Sequence, residues 1–315
     1  MTSKLDVVTF GEAMLLLVAD QPGPLEDAGM FHRRTAGAET NVAIGLARLG
    51  LEVGWSSRLG TDMMGRCLMK AMAAEGIDCS RVALDPEHPT GFMLKGRVSG
   101  GGDPPVEYHR RGSAASHMAA GDIDLPWLLS ARHLHATGVF AGVSATTLAL
   151  MRQSMSLMRA QGRSISFDPN LRPALWASPE LMRETINDLA ASADWVLPGL
   201  EEGRFLTGEQ SAEAIARFYR QRGASVVVVK LGEQGAYYDS EAAGSGHVPV
   251  FPVAEVVDTV GAGDGFAVGV ISALLEGLSV PQAVRRGTWI GACAIQVLGD
   301  SDGLPTRQEL EKTGL

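Results

Sequence analysis

The apolar positions fall into two alternating periods. Leu5–Phe10 is a short apolar run ended by Gly11, the pattern of a buried strand, and Ala13–Ala19 repeats it. Met30–Thr35 fits a third strand. From Glu39 to Leu49 the pattern turns helical, with Val42, Ile44, Leu46 and Leu49 apolar and Gly50 closing the element. A strand at Val53–Arg58 and a helix at Met63–Glu75, stopped by Gly76, continue the series. Strand–helix–strand–helix order predicts a parallel sheet with crossover helices.

The segment from Thr90 to Arg111 interrupts that order. Phe92–Val98 and Val106–Arg111 read as two strands around a Gly- and Pro-rich loop, Ser99–Pro105. With the early strands at Ala13–Ala19 and Met30–Thr35 this hairpin would form a small separate sheet, a discontinuous lid made of residues 13–35 and 90–113. The α/β body would then comprise residues 1–12, 36–89 and 114–315. Further along, strands are expected at His133–Ala136, Ser164–Phe167, Trp195–Leu197 and Ser225–Lys230. Helices are expected at Ala145–Ala160, Pro179–Ala190 and Ala212–Gln221. Late antiparallel strands at Ala236–Asp239 and His247–Phe251 precede helices over about Gly263–Glu276 and Pro281–Leu298.

Composition narrows the function classes. The chain has 315 residues, 45% of them hydrophobic and 20% charged, which supports a substantial core. A net charge of −9 without a basic run argues against nucleic acid and anionic membranes as partners, so any phosphate must be held by local groups. The scattered Cys67, Cys79 and Cys293 form neither a disulfide framework nor a Cys-x-x-Cys zinc pattern. Met1–Phe10 lacks a signal-peptide pattern and no apolar run approaches a bilayer span, so a cytoplasmic protein is expected. The seven histidines form no ligand cluster, and the methionines of Met151–Met158 have the spacing of core packing.

The most informative stretch is Asp258-Thr259-Val260-Gly261-Ala262-Gly263-Asp264-Gly265-Phe266. Small residues at a helix start leave backbone N–H groups free to face an anion, and the helix dipole adds positive charge there. Asp264 would repel an anion in such a nest. Two readings stand: a helix-capping residue, or a general base that deprotonates a hydroxyl as it attacks a phosphoryl group. No Gly-x-x-x-x-Gly-Lys-Ser/Thr run is present, and Gly261-x-Gly263 lacks the third glycine of a dinucleotide fingerprint.

Asp258-Thr259-x-Gly261-Ala262-Gly263-Asp264 resembles the C-terminal signature of the ribokinase-like (PfkB-type) carbohydrate kinases. Gly37-Ala38-Glu39-Thr40-Asn41-Val42-Ala43, followed by Gly60-Thr61-Asp62-x-x-Gly65, resembles their N-terminal counterpart. The resemblance covers essentially the whole chain and implies a Rossmann-like αβα body with a small β lid. Gly11-Glu12, Tyr108–Ser116 and Asp168-Pro169-Asn170-Leu171-Arg172-Pro173-x-Leu175-Trp176 look most like the 2-keto-3-deoxygluconate kinases within that family.

What this resemblance implies is an ATP- and Mg²⁺-dependent kinase acting on a sugar acid. Asp264 would be the base, and the N–H groups at Gly261, Ala262 and Gly263 the anion hole. Arg110 and Arg172 would hold a carboxylate, a task suited to planar guanidinium groups; otherwise Arg110 and Arg111 are solvated charges and Arg172 a structural ion-pair partner. Gly37 and Asn41 would contact sugar hydroxyls, with local capping as the plain alternative for Asn41. Tyr108 would join the substrate site. Asp168 or Asn170 would orient Arg172 or contact sugar or phosphate, or form an Asx turn. The turn carrying Lys230, Gly232 and Gly235 would lie beside the ATP phosphates and ribose, or be an ordinary hairpin. Asp258 would help build a monovalent-cation site, with K⁺ as the candidate ion.

Three departures from the family pattern stand out. Gly199 occupies an Asn position ahead of Glu202, the acid expected to act on Mg²⁺ indirectly. Met93 and His109 stand where tyrosines are common. A kinase for a neutral sugar such as fructose or ribose, or a non-catalytic sugar or nucleotide sensor, are the competing expectations. Pairing of lid sheets would give a homodimer or higher oligomer.

Overall fold

The computed structural model describes residues 5–98 and 104–315; most of the expected 99–105 loop lies outside them. Among the described residues, thirteen strands form two sheets. They are β1 (Val7–Phe10), β2 (Met14–Ala19), β3 (Phe31–Ala36), β4 (Val53–Gly60), β5 (Asp78–Asp85), β6 (Phe92–Lys95), β7 (Val106–His109), β8 (His133–Thr137), β9 (Ser164–Asp168), β10 (Trp195–Val196), β11 (Val226–Lys230), β12 (Ala236–Ser240) and β13 (Gly244–Val248). The large sheet runs β13-β12-β11-β10-β9-β8-β1-β4-β5, parallel except for the two antiparallel strands at the β13 edge.

Its central strands are apolar at successive positions because both faces are covered by helices. Val227 and Val229 pack into the core on one face with Phe167, Ile165 and Leu134, while Val226 and Val228 pack on the other with Trp55, Leu197 and Val53. The methionines Met151, Met155 and Met158 belong to the first of these cores, as their spacing predicts. His133, buried and stacked on Trp195, bonds Ser164 and Ser166, and burial holds its pKa well below the ordinary value.

The small sheet runs β3-β2-β6-β7. Its register places Leu16, Val18, Met93 and Lys95 on buried positions of one face, with Leu17, Leu94 and Phe92 on the other. The alternation thus sends one lysine inward with the apolar side chains.

The structure moves several predicted boundaries. Strand β5 was unpredicted because it is a sheet edge with one fully buried side chain and only the short apolar run Val82-Ala83-Leu84. Helix Leu200–Thr207 was missed because it is only eight residues long. The last strand lies at Gly244–Val248 rather than at His247–Phe251, since its register pairs His247 with Tyr237 and Gly244 with Ser240. The last long helix ends at Ala294, short of Leu298. The carbonyl of Ile295 accepts from the N–H groups of Val257 and Asp258, which draws the chain out of the helix.

Candidate functional site

In a parallel sheet, the carboxyl ends of the strands are where ligand crevices open. Here those ends deliver charge: Asp168 ends β9 and Lys230 ends β11. Beside them begins helix Ala262–Leu275, whose cap Gly261 has φ +88°. A side chain at Gly261 would meet the carbonyl oxygen of Asp300 at 2.3 Å, so both conformation and space require glycine. The helix is buried almost all round, which fixes its N-terminus in place.

These elements enclose a cavity of about 510 Å³. It brings together Gly37, Asn41, Tyr108, Arg110, Asn170, Arg172, Glu202, Lys230, Gly261, Gly263 and Asp264. Ala262 follows Gly261 as the first residue of the helix. Gly232 and Gly235 form the turn after β11, outside the lining, with φ of +58° and +88°. Asp168 lies behind the wall.

Asp264 is the focus of two amides. Asn41 donates from Nδ2 to its Oδ2 at 2.8 Å, and Asn170 donates to its Oδ1 at 3.3 Å. Asn170 is the only non-glycine residue with positive φ among the described residues, at +39°. Its backbone N–H bonds the Asp168 carboxylate, so an Asx turn aims its amide at Asp264. Burial pushes the Asp264 carboxyl up to about 7. The Asn41 bond opposes this, Asp168 and Asp300 add to it, and Lys230 opposes it. Asn41 Oδ1 is buried and has no hydrogen-bond partner, which leaves an acceptor at the cavity wall.

Lys230 Nζ lies 2.6 Å from Asp168 Oδ2 and stands beside Gly263. Burial opposes its charge, but Asp168, Glu202 and Asp264 outweigh it and hold its pKa above the ordinary value. Asp168 is pushed up to about 6, chiefly by burial, with Lys230 opposing. Of the alternatives for Asp168 and Asn170, the Asx turn is the one seen: the Asp168 carboxylate accepts from the Asn170 N–H and pairs with Lys230, which lies two strands away on β11.

The two arginines differ. Arg110 is bound by Glu12, with Nε at 2.7 Å and Nη2 at 2.5 Å from Oε2, and is mostly buried. Neither of the earlier readings for Arg110, solvated charge or free carboxylate clamp, foresaw this anchor. Arg172 donates to the Leu171 carbonyl at 2.9 Å and lines the cavity. Glu202 accepts from the N–H of Leu171 at 2.8 Å and of Gly199 at 2.7 Å, leaving its remaining lone pairs toward the cavity. No cluster of three metal-ligating acids, histidines or cysteines occurs among the described residues. A single carboxylate suits Mg²⁺, which keeps several waters and binds chiefly through substrate phosphates.

Asp258 does not face a free site. Its Oδ2 lies 2.5 Å from Nζ of Lys95, which also reaches Asp300 Oδ1 at 3.2 Å. Sequence reasoning missed Lys95 and Asp300, and it quoted Glu12 only within the Gly11-Glu12 motif, with no role toward Arg110. The period-2 pattern of β6 was the available signal for Lys95, since it shares a face with Met93.

The pfkB family carbohydrate kinase pattern matches residues 4–307. The chain belongs to that family. It is 48% identical to the 2-dehydro-3-deoxygluconokinase of Bacillus subtilis (strain 168) over 98% of this chain and 94% of the relative. It is 30% identical to the 2-dehydro-3-deoxygluconokinase of Thermoproteus tenax over 98% and 94%. A PfkB protein from Polaromonas sp. JS666 has a crystal structure with TM-score 0.90 at 71% identity, covering 98% of this chain and 99% of that one. An E. coli putative ribokinase II solved with ATP and Mg²⁺ superimposes with TM-score 0.89 at 27% identity, covering 98% of each chain. A Vibrio cholerae fructokinase double mutant solved with fructose, ADP and potassium gives 0.84 at 25% identity over 99% of each. The ribokinase-like fold and the carbohydrate-kinase class expected from the two signatures are thereby established, and the relatives support a sugar acid over a neutral sugar.

Proposed function

We propose that this carbohydrate kinase transfers the γ-phosphoryl group of ATP to a hydroxyl of a 2-keto-3-deoxy sugar acid, 2-dehydro-3-deoxygluconate. The observation that carries the chemistry is the placement of Asp264, held by two amides at the mouth of a glycine-capped helix. Its raised pKa makes it an effective acceptor for a hydroxyl proton near neutral pH. The N–H groups of Ala262 and Gly263, at the positive end of the helix, and the Lys230 ammonium face the phosphoryl charge. Mg²⁺, held through water by Glu202 and by the nucleotide phosphates, would offset negative charge on the triphosphate.

The acceptor sugar fits the remaining wall. The unpartnered Oδ1 of Asn41 takes a hydroxyl proton donor, and Gly37 allows close approach of the sugar. Arg172 binds the carboxylate. Arg110, fixed by Glu12, has guanidinium donors left for the same group, and Tyr108 closes the rim. Lys230 and the Gly232–Gly235 turn border the nucleotide. Closure by the small sheet, residues 13–35 and 90–113, over the remaining body would exclude water that could otherwise receive the phosphoryl group. Partly exposed Phe92 and Leu94 on the outer face of that sheet support a homodimer. No helix among the described residues is long and apolar enough to cross a membrane, in keeping with a cytoplasmic enzyme.

An ADP-production assay with a panel of acceptors tests the reading. 2-Dehydro-3-deoxygluconate should give the highest kcat/KM. A wide margin in favour of fructose or ribose would overturn the assignment of Arg172, and ligand binding without ADP formation would overturn Asp264 as a base.

A further inference from the structure

At the anion-binding loop, on the border of the same cavity, lies a charge cluster to which the proposed reaction assigns no role. Asp258 and Asp300 are both buried, with side chains 4% and 5% exposed, and they flank one ammonium, that of Lys95, itself 1% exposed. Two carboxylates this close in a dry environment require a cation between them, because removing either charge from water is costly without a partner. Both carboxylates belong to segments that shape the loop. The Asp258 carboxylate accepts from the Val260 N–H at 3.1 Å, while the Asp300 backbone packs against Gly261. The ammonium arrives from outside the loop, on the last residue of β6 in the small sheet. A monovalent metal ion placed at Asp258 would have to share its carboxylate with an ammonium already 2.5 Å away, or displace it.

We propose that Lys95 is the resident cation of this loop: its tethered ammonium, supplied by the small sheet, does the structural work of a monovalent metal ion and positions residues 258–263 without one. An ammonium is close in size to K⁺ and offers N–H donors to the same oxygens. Being covalently attached, it cannot dissociate, and its occupancy is independent of salt composition. It also ties the small sheet to the anion loop, so that movement of one is felt by the other. Lys95 and Asp300 also border the cavity of about 510 Å³, but the Lys95 ammonium is held by the two carboxylates, so Lys95 is a positioning residue that acts through Asp258 and Asp300.

Two measurements on the full-length protein test this. In the first, wild-type turnover and calorimetric Tm are compared in KCl and in tetramethylammonium chloride at equal ionic strength. Changes of less than about twofold in kcat/KM are expected, with unchanged Tm. Activation by K⁺ of about fivefold or more, or a K⁺-specific rise in Tm, would overturn the proposal. In the second, Lys95→Met removes the charge and keeps the bulk. Its kcat should fall about tenfold or more with a smaller change in KM, its Tm should drop, and K⁺ should partly restore both. A folded Lys95→Met protein with wild-type kcat and Tm would also overturn it. If Lys95→Met does not fold, the wild-type comparison decides alone. The proposal rests on the kinase reading for turnover only. The calorimetric arm uses no substrate, so an error in the substrate assignment leaves that arm intact.

Discussion

Asp258 and Asp264 end the same glycine-rich segment, six positions apart, yet they keep opposite company. Asp258 meets a buried ammonium from another sheet. Asp264 meets only amides at hydrogen-bond distance, and burial pushes its carboxyl up to about 7. The difference teaches that one loop can need a neutralised carboxylate for its shape and a poorly neutralised one for its chemistry. A cation beside Asp264 would strip it of basicity, and amides alone beside Asp258 would leave two buried acids uncompensated.

The strongest way to break the comparison is Asp264→Asn. Turnover should fall by about 10²–10⁴-fold, measured by ADP release. The same variant should be more heat-stable at neutral and alkaline pH. Between the ordinary carboxylate value and about 7 the folded protein holds a proton that the unfolded chain has released, so wild-type stability falls as pH rises through that window. Calorimetry should show the variant without this decline and with a Tm higher by roughly 2–6 °C at pH 8. A less stable variant would refute the electrostatic account of this site.

Lys230→Met removes the partner of Asp168 and a positive charge beside Gly263. Unfolding free energy should fall by about 3 kcal/mol in urea titration, with turnover reduced as well. Gly261→Ala should cost about 1–3 kcal/mol, because a left-handed residue then meets the Asp300 carbonyl. A variant as stable and active as wild type would show that the loop tolerates displacement. Arg172→Ala should raise KM for the sugar acid about tenfold or more while leaving neutral-sugar turnover little changed.

The smallest effect sharpens the picture most. The pH profile of kcat/KM should rise with pH through a limb near 7, the titration of free Asp264. Asn41 donates to that carboxylate and lowers its pKa, so Asn41→Ala should move the limb to higher pH. A limb that does not move would mean that the Asn41 bond contributes nothing to the base.

Much of the fold was readable because it is written in local periods. Valines at successive positions of β11 could belong only to a strand covered on both faces, and the helix after Gly261 was announced by its small residues. Strand β5 escaped because an edge with exposed side chains carries no apolar period. At the site, Asp264 and the glycines were legible from one contiguous segment. The Arg110–Glu12 and Lys230–Asp168 pairs were not, since their partners lie 98 and 62 positions apart and no local pattern joins them.

From the amino-acid order alone came the alternating architecture, the anion-binding loop and the acid at its end, because each depends on neighbours within a few positions. Folding in three dimensions decided which charges those acids would meet. Lys95 and Asp258 lie 163 positions apart, and Asn170 reaches Asp264 across 94. Hydrophobic period sets which way a side chain points. Only the packing of two sheets and a buried helix sets what it finds there.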